Sequence, residues 1–505
     1  MKMKKLNNIL KISKQLKKNK KKIVLCHGDF DNFHYGHLKH FEAAKKYGDV
    51  LIVSLTSDSH IKKGLNRPIF NEKQRAEIIS SLMIVDFVYI DNNSTAEKII
   101  SKLKPDFFVK GQDYKNLKKD FSGNIIKEKK LVEKHGGKLV FTKEKTFSSS
   151  KIINHSGMKK DLVKSLMDIK KKFDINQIYK IIDKISKLKI LIIGETIIDE
   201  YIYVSPLGKP SKEDIIASQL NSKKKFLGGL FASVNILSKF SNNLDFITVV
   251  NKNKNDFKFI KENIPNNINK AKIFFDERPT IMKSRFVQDH YFKIKKIYEY
   301  YQMDDRPISK ITENGILKEL NKNIQGYDLI IVNDYGHGLM TNQIISFLQS
   351  SRKFLAVTSQ INAGNQGFNL ITKYKKADYY CLDRDEALKA LENKFLKNEE
   401  IAKKLQKKTG GYNVCVTLGT QGSHMFNRKG KNFRISSLTT NVADTISAGD
   451  AFLCMSAPVL YSTKSLELSS LIGNLAGALE VSLPGSSQSF SKSDFISNLN
   501  TLLKI

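Results

Sequence analysis

The sequence is short of several things. It has no tryptophan, four cysteines and nine prolines in 505 residues. Cys26, Cys381, Cys415 and Cys454 stand singly in apolar stretches, and no C-x-x-C pair occurs. That excludes zinc-ribbon and dithiol redox motifs and reads as buried thiols in a reducing compartment. No apolar run approaches the ~18 residues that a membrane-spanning helix needs. The basic N-terminus lacks the continuous apolar core of a signal peptide, so a cytoplasmic protein with no membrane partner is expected. Acidic residues are also in deficit, 50 against 85 lysines and arginines, for a formal charge of +35. Such an excess invites a nucleic-acid partner. The lysines, however, are spread along the whole chain rather than gathered into one arm or stripe, and read as solvated charge. Small anionic substrates suit the same balance.

What is present fits two domains. Hydrophobic residues make up 41% and aromatics 10%, enough for each half of the chain to bury a core. Short continuous apolar runs, of the kind buried on both faces of a parallel sheet, recur between helical stretches. In the first half they are Lys22–Cys26, Val50–Leu55, Phe87–Ile90, Asp106–Val109 and Lys138–Phe141. In the second half they are Lys189–Gly194, Leu329–Val332, Phe354–Val357, Asp378–Cys381 and Val414–Thr417. The alternation predicts an α/β fold in both halves. The expected organisation is a basic extension over 1–21, a first domain over 22–154, a helical connector over 155–187 and a second domain over 188–505. Lys293 to Asp304 is less regular and reads as strands of a small β lid.

Two segments carry chemistry. The first, Gly28-Asp29-Phe30-Asp31-Asn32-Phe33-His34-Tyr35-Gly36-His37, follows a strand and precedes a helix expected to begin near His37. Open α/β sheets bind ligands at that end of their strands. Gly28 and Gly36 allow close backbone approach, and the helix start offers amides to phosphates. His34 and His37 could both donate to a triphosphate whose α-phosphorus is attacked. Taken alone, the same pattern also fits an ordinary loop histidine and helix-start histidine. The second segment is Asp444-Thr445-Ile446-Ser447-Ala448-Gly449-Asp450. Small residues at a helix start expose the amides of Ala448, Gly449 and Asp450 to a transferring phosphoryl group. Asp450 there could take the proton of an attacking hydroxyl, or simply cap a helix. No Walker A sequence occurs, which excludes a P-loop kinase.

Residues 22 to 154 resemble the cytidylyltransferase-like nucleotidyltransferases, most closely the adenylyltransferase half of bifunctional ADP-heptose synthases. The match runs through the G-x-F-D-x-x-H-x-G-H loop, Tyr47-Gly48-Asp49, Ser57-Asp58 and Lys63-Gly64-Leu65-Asn66-Arg67-Pro68-Ile69. It continues through Gln74-Arg75-Ala76, Val109-Lys110-Gly111-Gln112-Asp113-Tyr114 and Ser148-Ser149-Ser150-Lys151. The resemblance implies a Rossmann-like nucleotidyltransferase domain in which Gly28, Phe30, His34 and His37 hold the nucleotide. It further implies that Lys63 and Arg75 neutralise phosphate charge, that Ser148 and Ser149 hold the outer phosphates, and that Mg2+ neutralises leaving pyrophosphate. The nucleophile is then the substrate's own phosphate. His27, Asp29 and the Ser-Ser-Ser motif depart from the family's usual residues and leave ATP and CTP both open as the donor.

Residues 175 to 500 resemble the ribokinase/PfkB family, whose signature reads D-T-x-G-A-G-D. Supporting stretches are Gly194-Glu195-Thr196-Ile197-Ile198-Asp199, Gly228-Gly229, Arg278-Pro279-Thr280-Ile281-Met282-Lys283-Ser284-Arg285 and Asn333-Asp334-Tyr335-Gly336-His337-Gly338-Leu339. By resemblance, Asp199, Gly228, Gly229 and Asp334 face the sugar, Gly419 and Gly422 form the ATP-side loop, and Glu386 is linked to Mg2+. Asp450 is the expected base. Ser447 replaces a signature glycine, tolerable if its backbone angles are ordinary, and Ala232 and Thr358-Ser359-Gln360 replace usual sugar-side residues. Together the two resemblances imply ATP-dependent phosphorylation of a heptose 7-phosphate-like sugar at its anomeric hydroxyl, then adenylyl transfer to the sugar 1-phosphate. The family's kinase half comes first in its chain, whereas here it comes second. A cytidylyltransferase for a polyol or sugar phosphate is the alternative, and the oligomeric state, a homodimer included, stays open.

Overall fold

The computed structural model describes residues 2–61, 65, 67–112, 124–142, 158–290, 293–439, 442–483 and 489–504. Contacts divide the chain into two units, Met1–Met158 with Asn500–Ile505, and Lys159–Leu499.

The first unit is built on five parallel strands, β1 (Ile23–Gly28), β2 (Val50–Thr56), β3 (Phe87–Asp91), β4 (Phe107–Lys110) and β5 (Lys138–Phe141), in the order β3-β2-β1-β4-β5. Every residue of β2 is buried, as a doubly covered parallel strand requires. The strand order reverses beside β1, so a crevice opens where β1 and β4 run out, at residues 29–34. One face of the sheet carries the helices Tyr35–Lys45 and Glu72–Ser81, packed through Phe41, Ala76 and Ile79. The other carries Glu97–Leu103, Asn124–Lys134 and Leu6–Lys18.

That last helix corrects an expectation. Residues 1–21 are not an extension outside the domain. Ile9 is wholly buried against Ile23, Ile99 and Leu103, and residues 2–4 add backbone hydrogen bonds to the edge of β3 through Val88. The lysines that made the segment read as a basic arm lie on the outer side of an amphipathic helix, whose apolar stripe has a place to go.

The second unit has a nine-stranded sheet: β6 (Ile190–Gly194), β9 (Leu244–Asn251), β10 (Lys270–Asp276), β13 (Leu329–Asp334), β14 (Phe354–Ser359), β15 (Tyr379–Asp383), β16 (Asn413–Thr417), β17 (Ser423–Asn427) and β18 (Asn432–Ile435). Its order is β10-β9-β6-β13-β14-β15-β16-β17-β18, parallel as far as β16 and antiparallel beyond. A separate four-stranded sheet joins β7 (Thr196–Gly208), β8 (Ala217–Gly229), β11 (Ile281–His290) and β12 (Lys293–Gln302) in the order β12-β11-β7-β8. This is the expected lid, larger than the stretch 293–304 alone. The helices Lys160–Lys172 and Ile175–Ile185 lie in the expected connector, yet Leu162, Leu166, Ile178 and Ile182 are buried and belong to this unit. All four cysteines are buried free thiols. Among the described residues, no helix is long and apolar enough to cross a membrane.

The role of the first helix is testable. Ile9→Ala should destabilise the first unit by roughly 2–4 kcal/mol, as deleting a fully buried aliphatic side chain does. A denaturation midpoint unchanged from wild type would return the segment to the status of a loose arm.

Candidate active sites

In the first unit the helix begins at Tyr35, not His37, with His34 as its N-cap. The His34 Nδ1 accepts the Gly36 amide at 3.1 Å, so a neutral His34 carries its proton on Nε2. Burial lowers the His34 pKa, which favours that neutral donor. The His37 ring stacks on His34 with centroids 3.9 Å apart, and Phe30 meets His37 edge-on at 5.5 Å. The two imidazoles are therefore brought together at one helix start, beside the crevice. Phe30, expected at the nucleotide, turns instead into the core against Phe41, in a left-handed conformation (φ 46°). Gly28 is what admits it, since a Cβ there would meet the Phe30 ring at 3.2 Å.

Arg75 is also placed differently from the expectation. Its guanidinium is 1% exposed. Nε donates to the Phe70 carbonyl at 2.9 Å, Nη1 to the Asp29 carbonyl at 2.5 Å, and Nη2 to the Thr56 carbonyl at 2.9 Å and the Asp58 carboxylate at 2.5 Å. Four of the five donor hydrogens of an arginine are thus engaged, and the residue bolts the phosphate-side loop to the end of β2. A second bolt, not foreseen from the sequence, pairs the buried Asp31 with Arg67 and takes the Ile69 amide at 2.9 Å. A buried acid in this loop and an arginine 36 residues on were the only signal available. Lys63, Ser148 and Ser149 lie outside the described residues.

In the second unit β6 and β13 are neighbours in the middle of the sheet, and their ends present Glu195, Asn333 and Asp334. Asp450 stands in the first turn of the helix Ala448–Thr463 and is 3% exposed. Asn333 Nδ2 donates to its Oδ1 at 3.0 Å. Burial pushes the Asp450 pKa up to about 6, against the opposing effects of Tyr335, Asn333 and Lys283. Among the described residues no side chain caps the helix, so the amides of Ala448, Gly449 and Asp450 are placed to meet a ligand, and a Cβ at Gly449 would meet open space. Ser447, however, does not have ordinary backbone angles. It lies at φ 65°, in the left-handed region where glycine is at ease.

The sugar-side residues are largely held by the chain itself. Asp199 pairs with Arg285, and its Oδ2 would stand 2.0 Å from a Cβ at Gly228, which explains that glycine. Gly229 has φ 62° and passes the Glu195 carbonyl, 2.2 Å from where its Cβ would be. Asp334 is wholly internal, taking Tyr374 Oη at 2.6 Å, Lys373 Nζ at 2.6 Å, Asn369 Nδ2 at 3.1 Å and the Gly336 amide at 3.0 Å. Lys283, quoted in a motif but given no role, is 6% exposed and faces Asp199, Glu299 and Asp450. Burial lowers its pKa. Gly419 is open, whereas Gly422 lets the chain pass the Ile435 carbonyl at 2.0 Å from an added Cβ.

Glu386, expected at the metal, is engaged by the chain's own amides. Its Oε1 accepts the Ile361 amide at 3.1 Å and its Oε2 the Asp383 amide at 3.0 Å, completing a capping box. Burial and the Asp383 charge push its pKa up to about 8.

Two measurements check these placements. Arg75→Lys should lower the stability of the first unit by at least about 2 kcal/mol, because a lysine cannot reach four acceptors. Unchanged stability with weakened nucleotide binding would restore Arg75 as a phosphate ligand. Ser447→Gly should raise the stability of the second unit by about 1 kcal/mol, and a loss on denaturation would show that the left-handed angle carries no strain.

A family model described as cytidylyltransferase-like matches residues 25–155, and one described as pfkB family carbohydrate kinase matches residues 187–493. The bifunctional protein HldE of Campylobacter jejuni (strain RM1221) is 44% identical over 152 residues, 30% of this chain and 31% of the relative. HldE of Helicobacter pylori (strain J99) is 44% identical over 125 residues, 24% and 27% of the two chains. The chain thus spans about three-tenths of the length of these curated relatives. Ribokinase from Thermotoga maritima superposes on 62% of this chain and 99% of its own, with 18% identity and a TM-score of 0.48. With the pfkB match covering more than half of its length, the chain belongs to the pfkB family of carbohydrate kinases and carries a cytidylyltransferase-like domain ahead of the kinase domain.

Proposed function

We propose that the chain activates a sugar in two steps, phosphorylating a heptose 7-phosphate-like substrate at its anomeric hydroxyl and then transferring a nucleotidyl group, adenylyl first among candidates, to the new anomeric phosphate with release of pyrophosphate, the 7-phosphate being carried through unchanged. The observation that carries this reading is the buried Asp450 carboxyl, placed in the first turn of an uncapped helix. In the first step Asp450 takes the proton of the sugar hydroxyl as its oxygen attacks the γ-phosphorus of ATP. The amides of Ala448, Gly449 and Asp450 receive the charge of the transferring group, and the buried Lys283 ammonium offsets charge beside it. In the second step the sugar phosphate attacks the α-phosphorus, and the Nε2 proton of His34, with His37 stacked behind it, meets the charge that develops. Support for the sugar class comes from the HldE relatives, which match a part of this chain only.

Asp450→Asn should abolish ADP release with a heptose 7-phosphate while leaving pyrophosphate release from a sugar 1-phosphate intact. His34→Ala should do the reverse, lowering pyrophosphate release by roughly 10²-fold or more, the scale of a lost charge-stabilising donor. Loss of both activities in both variants, or of neither, overturns the two-site reading. Pyrophosphate release with CTP alone would reassign the base.

A further inference from the structure

Asp450 is not held by its own helix. Its carboxyl is met by two residues at the end of β13 whose spacing places them on one side of the strand. Asn333 donates to Oδ1 at 3.0 Å. The hydroxyl of Tyr335, a residue 3% exposed, is buried near the same carboxyl and has no hydrogen-bond partner among the described residues. Between them Asp334 points the other way, to Tyr374 and Lys373, as strand alternation requires.

The position of Tyr335 is over-determined. Its amide donates to Glu195 Oε2 at 3.0 Å, and the same buried carboxylate takes the His337 amide at 3.1 Å. Its carbonyl accepts Asn362 Nδ2 at 2.9 Å and Asn365 Nδ2 at 3.0 Å. Gly336 follows at φ 76°, where a Cβ would meet Asn369 at 2.6 Å. Three side chains and a left-handed turn therefore fix a backbone that leaves a buried hydroxyl beside one acid. A buried hydroxyl without a use is disfavoured, and a buried carboxylate without donors reverts to its neutral form.

We propose that Asn333 and Tyr335 are positioning residues for phosphoryl transfer, holding the Asp450 carboxyl in one orientation and in the ionised form that can accept a proton. The inference rests on the reading of Asp450 as the base. Other groups around the carboxyl act by charge: Lys283 from β11 favours ionisation, whereas Asp199 from β7, Glu386 of the helix Arg384–Ala390 and Glu480 of the helix Leu466–Val481 oppose it, and Glu195 after β6 acts on the neighbouring Tyr335. Cys454, one turn along from Asp450, is a buried neutral thiol. Asn333 is distinguished as the donor that touches the carboxyl, and Tyr335 as the unpartnered hydroxyl buried beside it.

The test is the pH dependence of ADP release by the full chain with ATP and a heptose 7-phosphate, for wild type, Tyr335→Phe, Asn333→Ser and Asp450→Asn. Activity needs the ionised carboxyl, so it falls as pH drops through the carboxyl's pKa, and removing a donor moves that fall upward. The expected shift is about one pH unit for either variant, the scale of a hydrogen bond to a charged group. At pH 5.5 that lowers kcat on the order of tenfold, while at pH 8.5 kcat returns to near wild type and KM for ATP stays unchanged. Recovery at high pH separates positioning from damage to the fold, which would depress kcat at every pH, and Asn333→Ser answers the question should Tyr335→Phe not fold. An unshifted limb in the variants, with wild type active and Asp450→Asn inactive, overturns the positioning role alone. Wild-type inactivity, or an active Asp450→Asn, overturns the kinase reading and the inference with it.

Discussion

Charge buried where parallel strands end must be answered by the chain's own groups, and the rest of this structure follows from how that is done. In the second unit Asp450 sits almost out of water at a helix start. Left there alone it would be protonated at neutral pH. Asn333, Tyr335 and Lys283 lean against that tendency, and each is delivered by a different constraint: the end of β13, a loop clamped by Glu195, and the lid sheet. The same rule governs the first unit, where the Arg75–Asp58 and Asp31–Arg67 pairs each answer a buried charge and fasten the loop that leads to His34.

A consequence is that polar residues near a site divide into those already used and those still able to meet a ligand. Asp334, Glu386 and Arg75 fall in the first class, their oxygens or nitrogens taken by neighbouring backbone and side chains. The amides of Ala448 and Gly449 and open backbone at Gly419 fall in the second. The second class concentrates at a helix start, where orphan amides and the positive end of the helix favour phosphate. Lys283, Arg285 and Asp199, by contrast, are all strand residues of the small sheet.

The central sheets were legible because a strand covered on both faces has to be a continuous apolar run, and Val50–Thr56 or Leu329–Asp334 leave little room for another reading. The lid was legible only in part. Strand β8 is exposed along most of its length, so Lys223, Lys224 and Lys225 look like loop. The helix Leu6–Lys18 was hidden for the opposite reason, its lysines outweighing an apolar stripe whose partner lies some 90 residues on. Motifs located His34, His37 and Asp450 at helix starts, yet could not say that Phe30 turns inward or that Arg75 is enclosed, because both depend on what fills the space beside them. Ser447 shows the limit most plainly: the letter stands in a glycine's place, and only the backbone reveals the left-handed angle there.

The claim that joins these sites is that one chain both phosphorylates a sugar phosphate and transfers a nucleotide to the product. It is tested most directly by following the full chain with ATP and a heptose 7-phosphate by phosphorus NMR. The account predicts ADP and inorganic pyrophosphate together, with the paired resonances of a new sugar diphosphate linkage appearing after a sugar 1-phosphate signal. ADP formed with no pyrophosphate and no such linkage, or ATP left unchanged, would contradict it.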